Sequence, residues 1–309
     1  MKSMLIPAAL ACAALACDSE RGEPAVAAAQ SAAEAAPACE ATGSIRALPK
    51  EVRETSGLAW SRSAPHLLWT HNDAGGEPVL FALDTAGALV ARVRVEGATH
   101  VDWEDMDAGP CDGGTCLYVG DTGDNDGARS SVTIYTLPEP STDGGSARAQ
   151  ATAHPARYPD GRWDSEAFFV LPTGDVYLVT KGRRGPIALY RYPAPLRAGT
   201  TATLERVREL RPQPKSEDGR VTAASASPDG RWVAIRTYRT LWLYAADRLV
   251  GTGPVEPVAV DLAPLRESQG EAVALGDDGT VWLTSEAAKK RDAPTLSRMT
   301  CTLDASGGA

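Results

Sequence analysis

The chain has 309 residues, 43% of them apolar and 23% charged, enough to bury a sizeable core as two modest domains or one large repetitive one. Thirty-one basic against forty acidic residues give a formal charge of −9 with no run of Lys or Arg, which argues against nucleic acid and anionic membrane surfaces as partners. With 29 glycines and 22 prolines, short strands joined by tight turns are favoured over a helical bundle.

In chain order, Met1-Lys2-Ser3 leads into a mostly apolar stretch, Met4–Ala16, too short to span a bilayer and of the right length for a signal-peptide core. It ends in Ala14-Leu15-Ala16-Cys17, which resembles a bacterial lipoprotein box, except that Ala14 stands where Leu is usual. Residues 1–16 are therefore expected to be removed and Cys17 to carry lipid, the alternative being ordinary secretion. Either path exports the protein to the periplasm, cell surface or medium. Residues 17–38, rich in Ala, Glu, Ser and Pro, read as a flexible tether. Cys12 leaves with the signal, so Cys39, Cys111, Cys116 and Cys301 remain for an oxidising compartment. Three pairings are open to them. The close spacing of Cys111 and Cys116 favours a hairpin-tip bridge, which leaves Cys39 with Cys301 and joins the two ends of the domain.

From residue 56 onward a unit recurs five times: a small or apolar strand, a Gly-containing turn, then a β-rich strand. The first strands are Ser56-Gly57-Leu58-Ala59-Trp60, Glu104-Asp105-Met106-Asp107-Ala108, Glu166-Ala167-Phe168-Phe169-Val170, Thr222-Ala223-Ala224-Ser225-Ala226 and Glu271-Ala272-Val273-Ala274-Leu275. In the last three copies the leading residue stands eight positions before the turn glycine, Gly174, Gly230 or Gly279. Two further strand-like runs follow each pair, a spacing that suits four-stranded propeller blades. The fifth copy has only three strands, and Gly43–Leu48 ahead of the first copy is an orphan. The expectation is an all-β, five-bladed β-propeller over residues 39–304, its last blade closed by this N-terminal strand, with 305–309 a tail. A degenerate sixth blade within 136–165 or 193–220, or a β-sandwich, are the alternatives.

In a propeller the first strand of each blade lines the central channel, so Ser56, Glu104, Glu166, Thr222 and Glu271 are expected to converge there. At ~6 Å and an effective dielectric near 20, each pair of the three carboxylates repels by roughly 3 kcal/mol. A divalent cation relieves that repulsion, and an all-oxygen ring in a wide cage selects Ca²⁺. Water held by polar channel residues is the plainer alternative.

The order Ser, Glu, Glu, Thr, Glu around five blades resembles the calcium-activated nucleotidase (apyrase) family. So do Leu68-Trp69-Thr70-His71-Asn72-Asp73 and Leu117-Tyr118-Val119-Gly120, although Asn72 replaces an acid and Ala74 an Arg of that pattern. Asp102-Trp103-Glu104-Asp105 and Gly120-Asp121-Thr122-Gly123-Asp124-Asn125 also resemble exported bacterial phytase-like propellers. These resemblances imply a five-bladed propeller with a central Ca²⁺ and a phosphohydrolase activity.

The second strand of each blade runs back toward the face where the first began, so its end joins a polar collar around the channel. Asn72, Asp124, Asn125, Lys181, Arg236, Tyr238 and Glu286 are candidate substrate-binding residues. Lys181 and Arg236 suit a phosphorylated ligand, and Asp73 or Asp121 could position or deprotonate water. Pairing of the two cations with nearby acids in a structural network is the alternative. The segment Asp121–Asp126 is a weaker candidate for a second Ca²⁺, with a solvated turn preferred. His71 is the base to test if the protein opens lactones or esters. The remaining histidines form no zinc motif, and no phosphate loop or dinucleotide fingerprint is present. Three functions compete: a Ca²⁺-dependent phosphohydrolase, a non-catalytic propeller that binds a protein or glycan with Ca²⁺ purely structural, and a lactonase or esterase. A monomer is expected.

Overall fold

The computed structural model describes Met1 and residues 38–73, 75–287 and 292–303. The expected signal peptide beyond Met1, the lipidation cysteine, nearly all of the tether and the tail lie outside the described residues. The domain is a ring of five sheets of mainly antiparallel strands, a five-bladed β-propeller. The inner strands are Thr55–Trp60, Trp103–Cys111, Ser165–Val170, Val221–Ala226 and Gln269–Leu275. Each packs beside the next, and the last packs beside the first, so the ring is closed. The turn glycines Gly174, Gly230 and Gly279 have φ of 85°, 71° and 79°, a conformation that side chains disfavour, which is why the repeat spacing is legible at these positions.

Closure differs in detail from the sequence expectation. The outer strand of blade 5 is Ala38–Ala41, paired antiparallel with Thr295–Thr302, and Arg46–Ala47 pairs farther along the same edge. The expected strand Gly43–Leu48 thus supplies only a two-residue contact, because Gly43, at φ 84°, lies between the two pairings. Cys39 stands directly opposite Cys301 in the register and is bonded to it, and Cys111 is bonded to Cys116. Both are the pairings expected from the spacing, and disulfides are the chemistry of an oxidising, exported environment. Among the described residues no helix is long and apolar enough to cross a membrane.

Blades 1 and 2 also carry a fifth strand. Ser146–Gln150 adds in parallel to blade 1, and Ala202–Thr203 adds in parallel to blade 2. Segments 136–165 and 193–220 are therefore outer-strand excursions of blades 2 and 3, not a sixth blade.

Five apolar clusters fill the five seams. Trp69, Val93, Trp103 and Leu117 pack between blades 1 and 2, and Tyr118, Ile134, Phe168 and Leu178 between blades 2 and 3. Phe169, Val179, Ile235 and Trp242 fill the next seam, then Leu243, Val273 and Leu283, and finally Leu58, Phe81 and Leu296 between blades 5 and 1. Each buried side chain of this size contributes about 1.5–3 kcal/mol, so the ring is held by its seams as much as by its sheets. The channel below its mouth is crossed by an acid of blade 2. Asp105 accepts hydrogen bonds from the backbone N–H of Phe168 (3.1 Å) and of Ala224 (2.9 Å), in blades 3 and 4. Asp107 likewise accepts from the N–H of Val170 at 2.9 Å.

Candidate metal centre at the channel mouth

A register shift interrupts the pairing of the first two strands in every blade, between Thr55/Leu58, Trp103/Asp105, Ser165/Ala167, Val221/Ala223 and Gly270/Val273. The five expected channel residues sit in these bulges, where the ladder releases a residue and its side chain is re-aimed. All five are buried. They do not form one equivalent ring. The Ser56 hydroxyl donates to the Glu104 carbonyl (2.6 Å), and the Thr222 hydroxyl to the Glu271 carbonyl (2.8 Å), each stitching its blade to a neighbour. Glu271 stands with Gln269 and Glu286: the Gln269 amide donates to both carboxylates, at 2.7 and 3.1 Å.

Glu104 and Glu166 meet in a cluster that the alignment of blades alone does not show. Carboxylate oxygens of Asp73, Asp102 and Glu104 lie within 4.8 Å of one another, and so do those of Glu104, Asp164 and Glu166. Two triads thus share Glu104. Asp102 and Asp164 precede Glu104 and Glu166 by two residues, at the heads of blades 2 and 3. Asp164 accepts from the Asp124 N–H through Oδ1 at 2.9 Å, while its buried Oδ2 has no hydrogen-bond partner. Gly123 makes room for the cluster, since a Cβ there would lie 2.1 Å from Glu104 Oε1 and 2.3 Å from Asp102 Oδ2.

The electrostatics follow from burial and crowding. Burial, with Glu166 and Asp73 nearby, pushes Glu104 well above the usual carboxylate range. Burial likewise raises Glu166 to about 7, opposed by Lys181, and Asp102 to about 6, helped by Asp73 and Asp164. Burial and the neighbouring Asp73 and Glu54 raise Glu286 to about 8, and burial with Glu286 raises Glu271. A buried, all-carboxylate donor set with an unpartnered oxygen can hold a hard cation.

The two expected ligand cations stand elsewhere than at an open rim. Lys181 is buried and ion-paired with Glu166. Burial would lower its pKa, but Glu166, Tyr238, Glu104 and Asp164 outweigh that and raise it, so the ammonium is retained. Arg236 is 0% exposed and bonded to Glu267 (2.5 Å) and to the carbonyls of Ala272 and Thr284, which corrects its placement at the rim: it is a seam residue. Only glycine fits at Gly270, where a Cβ would lie 1.9 Å from Arg236 Nη2.

The other candidates divide between framework and mouth. Asp121 is buried, ion-paired with Arg129 at 2.7 Å, and accepts from the N–H groups of Val101 and Asp102; it holds the Asp102 backbone rather than facing a substrate. Asp124 caps its own loop by accepting from the N–H of Ala128 and of Arg129. Asn125 is exposed and accepts from Arg183. Asp121 and Asp124 are both buried and turned to internal partners rather than to solvent. Asn72 bridges the Glu54 N–H and the Glu51 carbonyl. His71 is fully buried, edge-on to Trp103, and burial lowers its pKa to about 4, so it is packed in a seam rather than displayed at the mouth. Tyr238 is half-buried, and burial together with Glu271 raises its pKa. Asp73 lies at the partly open side of the cluster.

Sequence reasoning missed Asp102 and Asp164 as site residues. The available signal was the repeated Asp-x-Glu, Asp102-Trp103-Glu104 and Asp164-Ser165-Glu166, at equivalent positions of adjacent blades.

No family model matches the chain, and no curated protein matches its sequence. Similar solved structures include a PQQ-bound aldose sugar dehydrogenase from Streptomyces coelicolor, with 10% identity, a TM-score of 0.48, and 86% of this chain and 100% of that one covered. A gluconolactonase from Xanthomonas campestris has 12% identity and a TM-score of 0.44 over 84% of this chain and 89% of that one. The Cps50 (Swd1) β-propeller domain of Myceliophteria thermophila has 9% identity and a TM-score of 0.39 over 79% and 83%. At such low identity and TM-score these likenesses carry no argument about ligand or chemistry.

Proposed function

We propose that the protein is an exported hydrolase that uses a divalent cation at the channel mouth to open a neutral ester or lactone. The observation that carries this reading is the pair of carboxylate triads sharing Glu104, with the buried Asp164 Oδ2 lacking a partner. Asp73, Asp102, Glu104, Asp164 and Glu166 would hold the ion, and their oxygen-only chemistry favours Ca²⁺. When bound, the ion supplies Lewis acidity toward a substrate carbonyl. Asp73, on the partly open side, accepts the proton of the attacking water. Glu286, whose burial favours its protonated form, gives its own proton to the departing alkoxide, and Asp73 releases the proton it took to solvent, which reprotonates Glu286.

Charge selects the substrate class. The phosphohydrolase reading implied by the nucleotidase resemblance relies on Lys181 and Arg236 as ligand cations, and both are engaged by protein acids. A polyanion would meet a mouth lined by carboxylates, whereas an uncharged carbonyl compound would not. The leader sequence supports export, with lipid at Cys17 as the proposed anchor and a monomer as the proposed state.

The test is Ca²⁺ titration by calorimetry, then hydrolysis assays on aliphatic lactones and aryl esters beside phosphate release from nucleotides and phytate, repeated with Glu104→Gln. Calcium-dependent ring opening that is lost in the variant supports the proposal. Phosphate release instead returns the nucleotidase reading, and metal binding without turnover on any substrate leaves a binding propeller with a structural ion.

A further inference from the structure

A second cavity lies on the opposite face, at the seam where the N-terminal strands close blade 5 against blade 1. It encloses about 350 Å³, within the size range of small-molecule sites, and is lined by Trp60, Trp282, Arg46, Arg298, Ser44 and Thr280 among others. Five separate stretches of chain build it, around residues 42–46, 60, 85, 278–282 and 298, so it exists only in the closed ring. Trp60 is fixed by its indole N–H, which donates to the Pro65 carbonyl at 2.7 Å, and by its ring packing on Gly276, where a Cβ would lie 2.7 Å from Cζ3. The indole N–H of Trp282 is buried without a hydrogen-bond partner. The Arg298 guanidinium lies 5.7 Å from the centre of the Trp282 ring.

The charge of this cavity runs against the charge of the protein. In a chain of formal charge −9, neither Arg46 nor Arg298 forms an ion pair among the described residues. The one lining acid, Asp278, is turned to the N–H and hydroxyl of Thr280, at 2.9 and 3.0 Å. Two guanidiniums without counter-charge, two indoles and several hydroxyls meet in one space. Guanidinium forks recognise carboxylates, indole faces pack against the C–H face of a sugar ring, and hydroxyls match sugar hydroxyls.

We infer that this seam cavity binds a carboxylate-bearing sugar ring, a uronate unit of an acidic glycan. Arg46 and Arg298 hold the carboxylate, and Trp60 and Trp282 hold the ring. The site is independent of the mouth cluster and requires no metal.

The experiment is calorimetric titration of the full chain with sodium glucuronate, glucose and sodium sulfate, in EDTA and in calcium. Glucuronate is expected to bind in the millimolar range or tighter, at least about tenfold better than glucose or sulfate, equally in both buffers. Arg298→Gln and Arg46→Gln, with unchanged thermal unfolding, are each expected to weaken it about fivefold or more. Glucuronate binding no better than glucose or sulfate, or affinity untouched by both substitutions, would overturn the inference. Because EDTA leaves this measurement intact, its failure is distinguishable from failure of the metal reading at the mouth.

Discussion

Lys181 forms a buried ion pair with Glu166 at the channel mouth, so the protein supplies from its own chain one positive charge to a group of crowded carboxylates. The ammonium is paired with Glu166, while burial and neighbouring acids raise Asp102 and Glu104 in the same cluster.

Replacing Lys181 by Met should therefore be costly without metal. Removing one partner of a buried pair leaves an uncompensated charge, typically worth about 3–5 kcal/mol. Thermal unfolding of Lys181→Met is expected to drop steeply in EDTA and to recover in part with calcium. An equal drop in both buffers would mean that no cation enters the cluster.

Asp105 ties three blades together by accepting backbone N–H groups from Met106, Phe168 and Ala224. Asp105→Asn turns an acceptor into a donor facing donors, and should lower stability by about 2–3 kcal/mol, measured by urea denaturation. Exposed Asp112, at the hairpin tip, is the control: its Asn variant should change little.

Stability of the metal-free protein should fall as pH rises from about 6.5 to 8. Glu166 and Glu286, raised to about 7 and about 8, bind more protons folded than unfolded, so their protonated fold is favoured at low pH and loses ground as pH climbs. His71, lowered to about 4, has the opposite sign: its contribution is lost as pH falls from the unfolded value toward 4. The two effects oppose each other below about 6.5, and above it only the carboxylates act. Melting temperature against pH in EDTA measures this, and saturating calcium should flatten the upper limb.

The two disulfides should differ in weight. Cys39–Cys301 closes a separation of 262 residues and Cys111–Cys116 one of 5. Loop-closure entropy assigns about 5–6 kcal/mol to the first and about 2 kcal/mol to the second. Paired Ser substitutions, compared by denaturant titration, should reproduce that order, and the Cys39/Cys301 variant should unfold first at blade 5.

The sequence by itself favoured five blades, singled out the first-strand positions expected to reach the channel and favoured the pairing of the cysteines. Ser56, Glu104, Glu166, Thr222 and Glu271 are legible because a strand-turn-strand unit repeats with a glycine whose backbone angle side chains disfavour, and Cys39 and Cys301 because ring closure brings the chain ends together. Local chemistry and counting suffice for such features. Only the tertiary structure decided which of these groups meet and which are turned away. Asp73, Asp102 and Asp164 join Glu104 through loop courses and a bulge, Lys181 turns inward to Glu166, and Arg236 and His71 disappear into seams. The physical reason is that a bulge re-aims one side chain and a seam buries another according to what packs across from it, and that neighbour lies in a different blade, tens of residues away in the sequence.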